Sequence, residues 1–212
     1  MPEELPDERP QRRREYSGAG STLGAAAVIV LAVGLAIWWF EVRGDFSARP
    51  IDAGPGIVEL AADLNPTGKP PAAEPGRAAP NFALRTPAGE VLQLDTYRGS
   101  YVLINFWASW CPPCRGETPD LQSLYERAGG RSLVILGVNQ QEDGGTAGAF
   151  ASEFGITYPN VLDRAGEVSN AYRVGRGLPV TFLVSPEGVV LKVYPGRISA
   201  DDLASIEREY LD

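Results

Sequence analysis

The chain has 212 residues, of which 44% are hydrophobic and 22% charged, so it can build one ordinary globular domain with additional segments, and a wholly disordered or collagen-like chain is excluded. It has no histidine and two cysteines, which excludes catalysis and metal binding that depend on histidine, as well as four-thiolate zinc and iron–sulfur sites. The formal net charge of -8 argues against nucleic acid as a partner, because lysine and arginine neutralise the phosphates in such complexes.

The first 40 residues have the pattern of a signal anchor. We assign residues 1–20 to a cytoplasmic tail and residues 21–40 to a transmembrane helix, because no charged residue lies between Leu23 and Phe40 and about 20 helical residues span a bilayer core. Arginines are denser before this span than after it, so the N-terminus is expected in the cytoplasm and the rest of this single-pass protein on the extracytoplasmic side of the cytoplasmic (inner) membrane. A cleaved secretory signal is the alternative, and it would also export the domain.

Residues 41–77 are predicted to form a tether. They are rich in proline, glycine and alanine, and proline at this density interrupts helices and sheet ladders. Residues 78–212 are then the folded domain.

The hydrophobic pattern from Asn81 predicts an α/β fold. A β-hairpin over residues 81–94 precedes Tyr101–Trp107, an apolar run typical of a central strand covered on both faces. The further predicted elements are the helices Pro112–Ala128, Thr146–Phe154, Glu167–Tyr172 and Ser199–Tyr210, and the strands Leu133–Val138, Val180–Val184 and Val189–Tyr194. Strands that alternate with helices and end in a hairpin indicate a mixed central sheet flanked by helices.

Both cysteines lie in the segment Trp110-Cys111-Pro112-Pro113-Cys114, where the central strand gives way to a helix. This spacing in a first helical turn brings the two sulfur atoms within disulfide distance, and the N-terminus of a helix stabilises a thiolate. We expect Cys111, at the exposed end, to be the nucleophile and Cys114 to be the resolving thiol. A static structural disulfide and half of a metal site completed by a second chain are the alternatives.

The segment LINFWASWCPPCRGETP resembles the active-site segment of the thioredoxin superfamily, and GLPVTFL resembles the segment that carries the cis-proline of that superfamily. The resemblance extends from about Ala78 to the C-terminus and implies a thioredoxin-like fold with a redox-active disulfide and no cofactor. It also implies a cis peptide bond between Leu178 and Pro179, lying against the cysteine pair.

The resemblance assigns substrate contacts to two groups of residues. One group, Trp110, Pro112 and Pro113, adjoins the cysteines in the sequence. The other, Leu178 and Pro179, would face them and offer backbone groups of Leu178 to an extended substrate.

Two differences from ordinary thioredoxins indicate a smaller group within the superfamily. Asn105 stands where thioredoxins have a buried aspartate, and Glu117, three residues after Cys114, matches the acidic residue of the membrane-anchored ResA, CcmG and TlpA group. The long connection between Val138 and Pro179 also resembles the inserted helix-strand unit of that group. We hypothesise that Glu117 takes or returns the proton of Cys114, the alternative being a solvated surface carboxylate.

The resemblance implies a thiol-disulfide oxidoreductase that reduces disulfides of exported proteins. Its substrate would be the oxidised haem-attachment cysteines of an apocytochrome c during cytochrome c maturation, and its electrons would come from a membrane thiol transporter of the CcdA or DsbD kind. Three other functions remain open: a peroxiredoxin-like thiol peroxidase, a disulfide oxidase or isomerase, and a tethered interaction domain locked by its disulfide. The motif alone does not fix the direction of electron flow.

Overall fold

The computed structural model describes residues 29–33, 35, 56–128, 133–175 and 177–210, and the chain divides into two units between positions 48 and 49. In the first unit, residues 29–33 and 35 are helical. The predicted cytoplasmic tail and most of the predicted membrane span lie outside the described residues. Within the described residues, no helix has both the length and the apolar character needed to cross a bilayer.

The second unit holds eight strands and four α-helices in its described part. The strands are β1 (Gly56–Ile57), β2 (Phe82–Arg85), β3 (Val91–Gln93), β4 (Tyr101–Trp107), β5 (Leu133–Gln140), β6 (Asn160–Asp163), β7 (Val180–Val184) and β8 (Val190–Pro195). The helices are α1 (Pro112–Ala128), α2 (Gly144–Glu153), α3 (Glu167–Ala171) and α4 (Ala200–Tyr210), with short 3₁₀ helices at Ala62–Leu64 and Leu94–Tyr97. The predicted hairpin, inserted helix-strand unit and closing strands are all present.

The strands form one mixed sheet in the order β1-β2-β6-β5-β4-β7-β8, with β3 paired to β2. Strand β4 runs parallel to β5 and antiparallel to β7, and β5 runs parallel to β6. The register places Asn105 of β4 between Gly137 of β5 and Thr181 of β7. The mixed central sheet predicted from the sequence is therefore confirmed, with β4 in its interior between β5 and β7.

Alternate residues of β4 face opposite sides of the sheet, as the period of a strand requires. Ile104 and Phe106 enter the hydrophobic cluster that contains Tyr172, next to α3. Leu103 enters the cluster on the other face, with residues of α1 and α4. Helices cover both faces, which explains why β4 reads as a continuous apolar run.

The predicted tether, residues 41–77, is folded onto the domain from β1 onward, so the predicted boundary at residue 78 is wrong. Strand β1 pairs with β2, the N–H of Gly76 donates to the carbonyl of Val190 at 2.9 Å, and the guanidinium of Arg98 donates to the carbonyl of Leu64 at 2.5 Å. Proline prevents a regular ladder but leaves backbone groups free to satisfy the edge of a sheet. The folded domain therefore includes residues 56–77.

A chain that begins at residue 78 should be less stable than one that begins at residue 56. The shorter chain loses the β1–β2 pairing and the hydrogen bonds of Gly76 and Arg98. At about 1 kcal/mol for each hydrogen bond, its free energy of unfolding should fall by about 3–5 kcal/mol, which urea denaturation would measure. Equal unfolding midpoints for the two chains would show that the segment packs without stabilising the domain.

Gly137 of β5 allows Trp107 and Asn160 to meet. The indole N–H of Trp107 donates to Oδ1 of Asn160 at 3.0 Å, directly over Gly137. A Cβ atom at position 137 would lie 2.0 Å from that Oδ1 and 3.0 Å from the indole nitrogen. A side chain there must break the hydrogen bond between them.

The variant Gly137→Ala should therefore lower the free energy of unfolding by about 2–4 kcal/mol, because it overpacks a buried site and removes this hydrogen bond. The control is Gly148→Ala, at a position in α2 where a Cβ atom meets nothing within 4 Å. That variant should raise the free energy by about 0.5–1 kcal/mol through helix propensity. Denaturation curves that rank the two variants in the opposite order would disprove this packing argument.

Candidate active site

Cys111 and Cys114 form a disulfide at the start of α1, with their Cα atoms 5.3 Å apart. This confirms the predicted pairing. The expected exposure of Cys111 is wrong, because its residue is 2% exposed and Cys114 is fully buried, in a cluster that includes Trp107 and Phe150. The exposed part of the motif is Trp110, at 61%, and the two intervening prolines. The motif therefore presents a rim of apolar side chains beside a covered disulfide.

The backbone of α1 favours negative charge on Cys111. The N–H of Cys114 donates to Sγ of Cys111 at 3.3 Å, which is the contact that a capping acceptor makes with the first turn of a helix. In the reduced state, this N–H and the helix dipole would stabilise a thiolate on Cys111. The geometry supports the expected division of roles, in which Cys111 attacks and Cys114 resolves.

The peptide bond between Leu178 and Pro179 is cis, which confirms the prediction from the resemblance. Leu178 is half-buried and packs against the cluster that contains both cysteines. The carbonyl of Pro179 accepts the N–H of Gly196 at 2.9 Å, which ties the loop before β7 to the end of β8. The structure therefore brings Leu178 to the cluster around the cysteine pair, across more than 60 positions of the sequence.

Glu117 is fully buried one helical turn after Cys114, so it is not a solvated surface carboxylate. Its Oε1 accepts the side-chain amide of Asn105 at 2.7 Å, and its Oε2 accepts the backbone N–H of Ile198 at 2.9 Å. The same amide group of Asn105 also donates to Oγ1 of Thr181 at 2.9 Å. Asn105 thus links the carboxylate to β7, two residues after the cis-proline.

Burial raises the pKa of Glu117 to about 7, even though the hydrogen bonds from Asn105 and Ile198 and the nearby charge of Arg197 favour its ionised form. A carboxyl group with such a pKa exchanges its proton near neutral pH, which suits general acid-base chemistry. Its position on α1 makes Cys114 its natural partner.

Three residues of the site carried no signal in the sequence. Thr181 accepts from Asn105, and Glu142 binds Ser109 in the loop before Cys111. The guanidinium of Arg197 lies over Gly116 of α1, 3.2 Å from where a Cβ atom would stand, and pairs with Asp120 at 3.2 Å. Each joins segments that are distant in the sequence, so no local pattern reveals it.

The described residues include no group of three or more histidine, cysteine or acidic side chains that could hold a metal ion. Both cysteines are engaged in the disulfide. The reactive groups of the described site are therefore a cysteine pair, which can interconvert between dithiol and disulfide, and a buried carboxyl group on the next helical turn.

Comparison with known proteins gives consistent matches. Residues 75–193 match the AhpC/TSA family. The chain is 41% identical over 128 residues to the thiol-disulfide oxidoreductase ResA of Geobacillus thermodenitrificans (strain NG80-2), a match covering 60% of this chain and 73% of that protein. It is 37% identical over 124 residues to ResA of Bacillus subtilis (strain 168), covering 58% and 69% respectively.

Among solved structures, the crystal structure of a putative thiol:disulfide interchange protein DsbE from Chlorobium tepidum is similar, with a TM-score of 0.58 and 31% sequence identity. The match covers 64% of this chain and 94% of that one. These similarities establish the thioredoxin-like fold of the second unit.

The pKa of Glu117 predicts how stability depends on pH. Between its ordinary value of 4.5 and about 7, the unfolded chain loses the Glu117 proton while the folded chain keeps it. The unfolded state then binds fewer protons, so the free energy of unfolding should fall as the pH rises through this window, by up to about 3 kcal/mol. Urea denaturation of the oxidised protein at several pH values would measure this.

The variant Glu117→Gln should lack this contribution, so the difference in unfolding free energy between wild type and variant should change between pH 4.5 and 7 and level off above it. Glu126→Gln, at an exposed position of the same helix, is the matched control for the loss of one carboxylate. A Glu117→Gln variant with the same pH dependence as wild type would contradict the raised pKa.

Proposed function

We propose that this chain, which belongs to the AhpC/TSA family and to the ResA, CcmG and TlpA group of thioredoxin-like proteins, reduces disulfides in proteins outside the cytoplasm. It is a thiol-disulfide oxidoreductase, as its relatives are named. The observation that carries the proposal is the Cys111–Cys114 disulfide at the N-terminus of α1, packed against the loop with the cis-proline.

The reaction consists of two exchange steps. The thiolate of Cys111 attacks one sulfur of the substrate disulfide, forming a mixed disulfide and releasing the other substrate sulfur as a thiolate. The thiolate of Cys114 then attacks Sγ of Cys111, releasing the second substrate sulfur and closing the Cys111–Cys114 disulfide. Two electrons pass to the substrate, and a dithiol reductant must restore the enzyme.

Glu117 provides a proton acceptor for the second step. The thiol of Cys114 is fully buried, and burial in apolar surroundings disfavours its thiolate. A buried carboxyl group on the next turn, with a pKa of about 7, can take the Cys114 proton as the attack begins and return it when the disulfide is reduced. Asn105 and Ile198 hold this carboxyl in place.

The proposed substrate is an apocytochrome c whose haem-attachment cysteines have become oxidised. In this proposal the domain is held at the extracytoplasmic face of the cytoplasmic membrane by residues 21–40 and receives electrons from a transporter of the CcdA or DsbD kind. The uncharged segment between Leu23 and Phe40 supports the anchor, and the likeness to the ResA group supports the substrate. The rim of Trp110, Pro112 and Pro113 supplies an apolar surface for an unfolded polypeptide.

The reduction potential of the cysteine pair tests the direction of electron flow. We expect the full chain, equilibrated in detergent with a glutathione or dithiothreitol series, to show a potential of about -270 mV or lower, near that of thioredoxin. Such a disulfide is stable, so the dithiol is a reductant. A potential near the value of DsbA, about -120 mV, would instead make the enzyme an oxidant.

A substrate assay separates the remaining functions. The reduced enzyme should reduce a disulfide peptide that carries the Cys-x-x-Cys-His pattern of haem attachment, and Cys114→Ser should trap the mixed disulfide. Cys111→Ser should be inactive. If the peptide is reduced no faster than by free thiols, an interaction domain is the remaining function. If peptide reduction is slow and hydrogen peroxide is consumed rapidly, the chain is a thiol peroxidase.

A further inference from the structure

A single carboxylate holds the loop that leads into the cysteine pair, residues 108–110, which we call the active-site loop. Oε2 of Glu142 accepts the backbone N–H of Ser109 at 2.9 Å, and Oε1 accepts the hydroxyl of Ser109 at 2.5 Å. Glu142 lies 33 residues further along the chain, just after β5. Both polar groups that Ser109 can donate are therefore bound by one side chain.

Asn139, at the end of β5, fixes this carboxylate from the other side. Its side-chain amide donates to Oε2 of Glu142 at 2.6 Å, and the residue is fully buried. Among the described residues, no donor reaches Oδ1 of Asn139, so the side chain of Asn139 forms its hydrogen bond there to Glu142 alone. Asn139 pairs in the sheet with Trp107, the last residue of β4. The carboxylate is thus anchored to the same sheet edge from which the active-site loop departs.

The rest of the active-site loop has few directed contacts. Ala108 is buried beside the disulfide, and its carbonyl accepts the N–H of Cys111 at 3.2 Å. Trp110, by contrast, is 61% exposed. Ser109 is therefore the point at which hydrogen bonds tie the active-site loop to a distant segment of the chain.

We propose that Glu142 is a positioning residue for thiol-disulfide exchange, which acts through Ser109 to hold Trp110 and Cys111 in the geometry that attack on a protein disulfide requires. The attacking sulfur must line up with the bond that it breaks, and small misplacements of reacting atoms lower rates strongly. The inference rests on the exchange activity and is independent of the proposed apocytochrome substrate.

The chemistry of the contact explains why a carboxylate stands at position 142. Three donors converge on it, two from Ser109 and one from Asn139. An ionised carboxylate accepts all three hydrogen bonds with two charged oxygens, whereas an amide has one neutral acceptor oxygen and an N–H group that the hydroxyl of Ser109 must turn to accept. Glu142→Gln therefore keeps the size of the side chain and weakens the contact, because it removes the charge and reverses the hydrogen bond of the hydroxyl.

The test measures the full chain with insulin as a generic disulfide substrate. For Glu142→Gln we expect kcat to fall about tenfold with KM changed less than twofold, because exchange and not substrate docking depends on the alignment. The rate at which iodoacetamide alkylates the fully ionised Cys111 thiolate should change less than twofold, because a small reagent needs no alignment with the loop. Ser109→Ala, which removes the hydroxyl and keeps the N–H, should lose part of kcat.

Asp143→Ala is the matched control. Asp143 caps α2 by accepting the N–H of Thr146 at 2.9 Å, so its loss weakens the adjacent helix without touching the active-site loop. Its kcat should equal that of wild type. The loss in the double variant Ser109→Ala/Glu142→Gln should be smaller than the product of the single losses, since both variants break one contact.

Two results would overturn the proposal. A kcat within twofold of wild type for both Glu142→Gln and Ser109→Ala would show that the contact does not affect exchange. An equal loss of kcat in Asp143→Ala would show that Glu142 acts only through local stability. Failure of the peptide assay for haem-attachment cysteines, with insulin reduction intact, would bear on the proposed substrate alone.

Discussion

The burial of one carboxyl group under the cysteine pair is the constraint around which the site is organised. Glu117 has no exposed surface, so each of its oxygens needs a donor from the protein. One donor comes from the middle of the central strand, through Asn105, and the other from the loop before α4, through the N–H of Ile198. These two hydrogen bonds to Glu117 therefore fix α1 against both the sheet and the C-terminal loop. They fix the cysteine pair as well, because it lies at the start of α1.

The register of the sheet makes these contacts possible. Asn105 lies opposite Thr181 on β7, and the cis-proline precedes that residue by two positions. The amide of Asn105 can therefore reach the helix and the neighbouring strand together. Asn105 is a neutral amide with no proton to exchange, so in the proposed mechanism the proton acceptor is Glu117, whereas ordinary thioredoxins have an acidic residue in the strand itself. The arrangement moves the acid from the sheet to the helix that carries the thiols.

The sequence sufficed for those features that depend on local pattern. The apolar run of β4, the spacing of Cys111 and Cys114 and the order of helices and strands all follow from short stretches of chain, and the resemblance supplied the cis-proline. What escaped were contacts between distant segments. In the sequence, Glu142 has the pattern of a polar loop residue, and only the fold brings it to Ser109. Residues 56–77 have the composition of a tether, because their partners in the structure are backbone groups at the edge of the sheet.

The covering of the disulfide determines which reductants can act on it. Thiol-disulfide exchange requires access of the attacking sulfur, and here the two cysteine residues lie beneath neighbouring side chains while Trp110 stands exposed. Small thiols in the surroundings meet a kinetic barrier that a protein docking on the tryptophan rim can lower through its binding energy. We therefore expect the pair to exchange more slowly with small thiols than with a protein that docks on this rim.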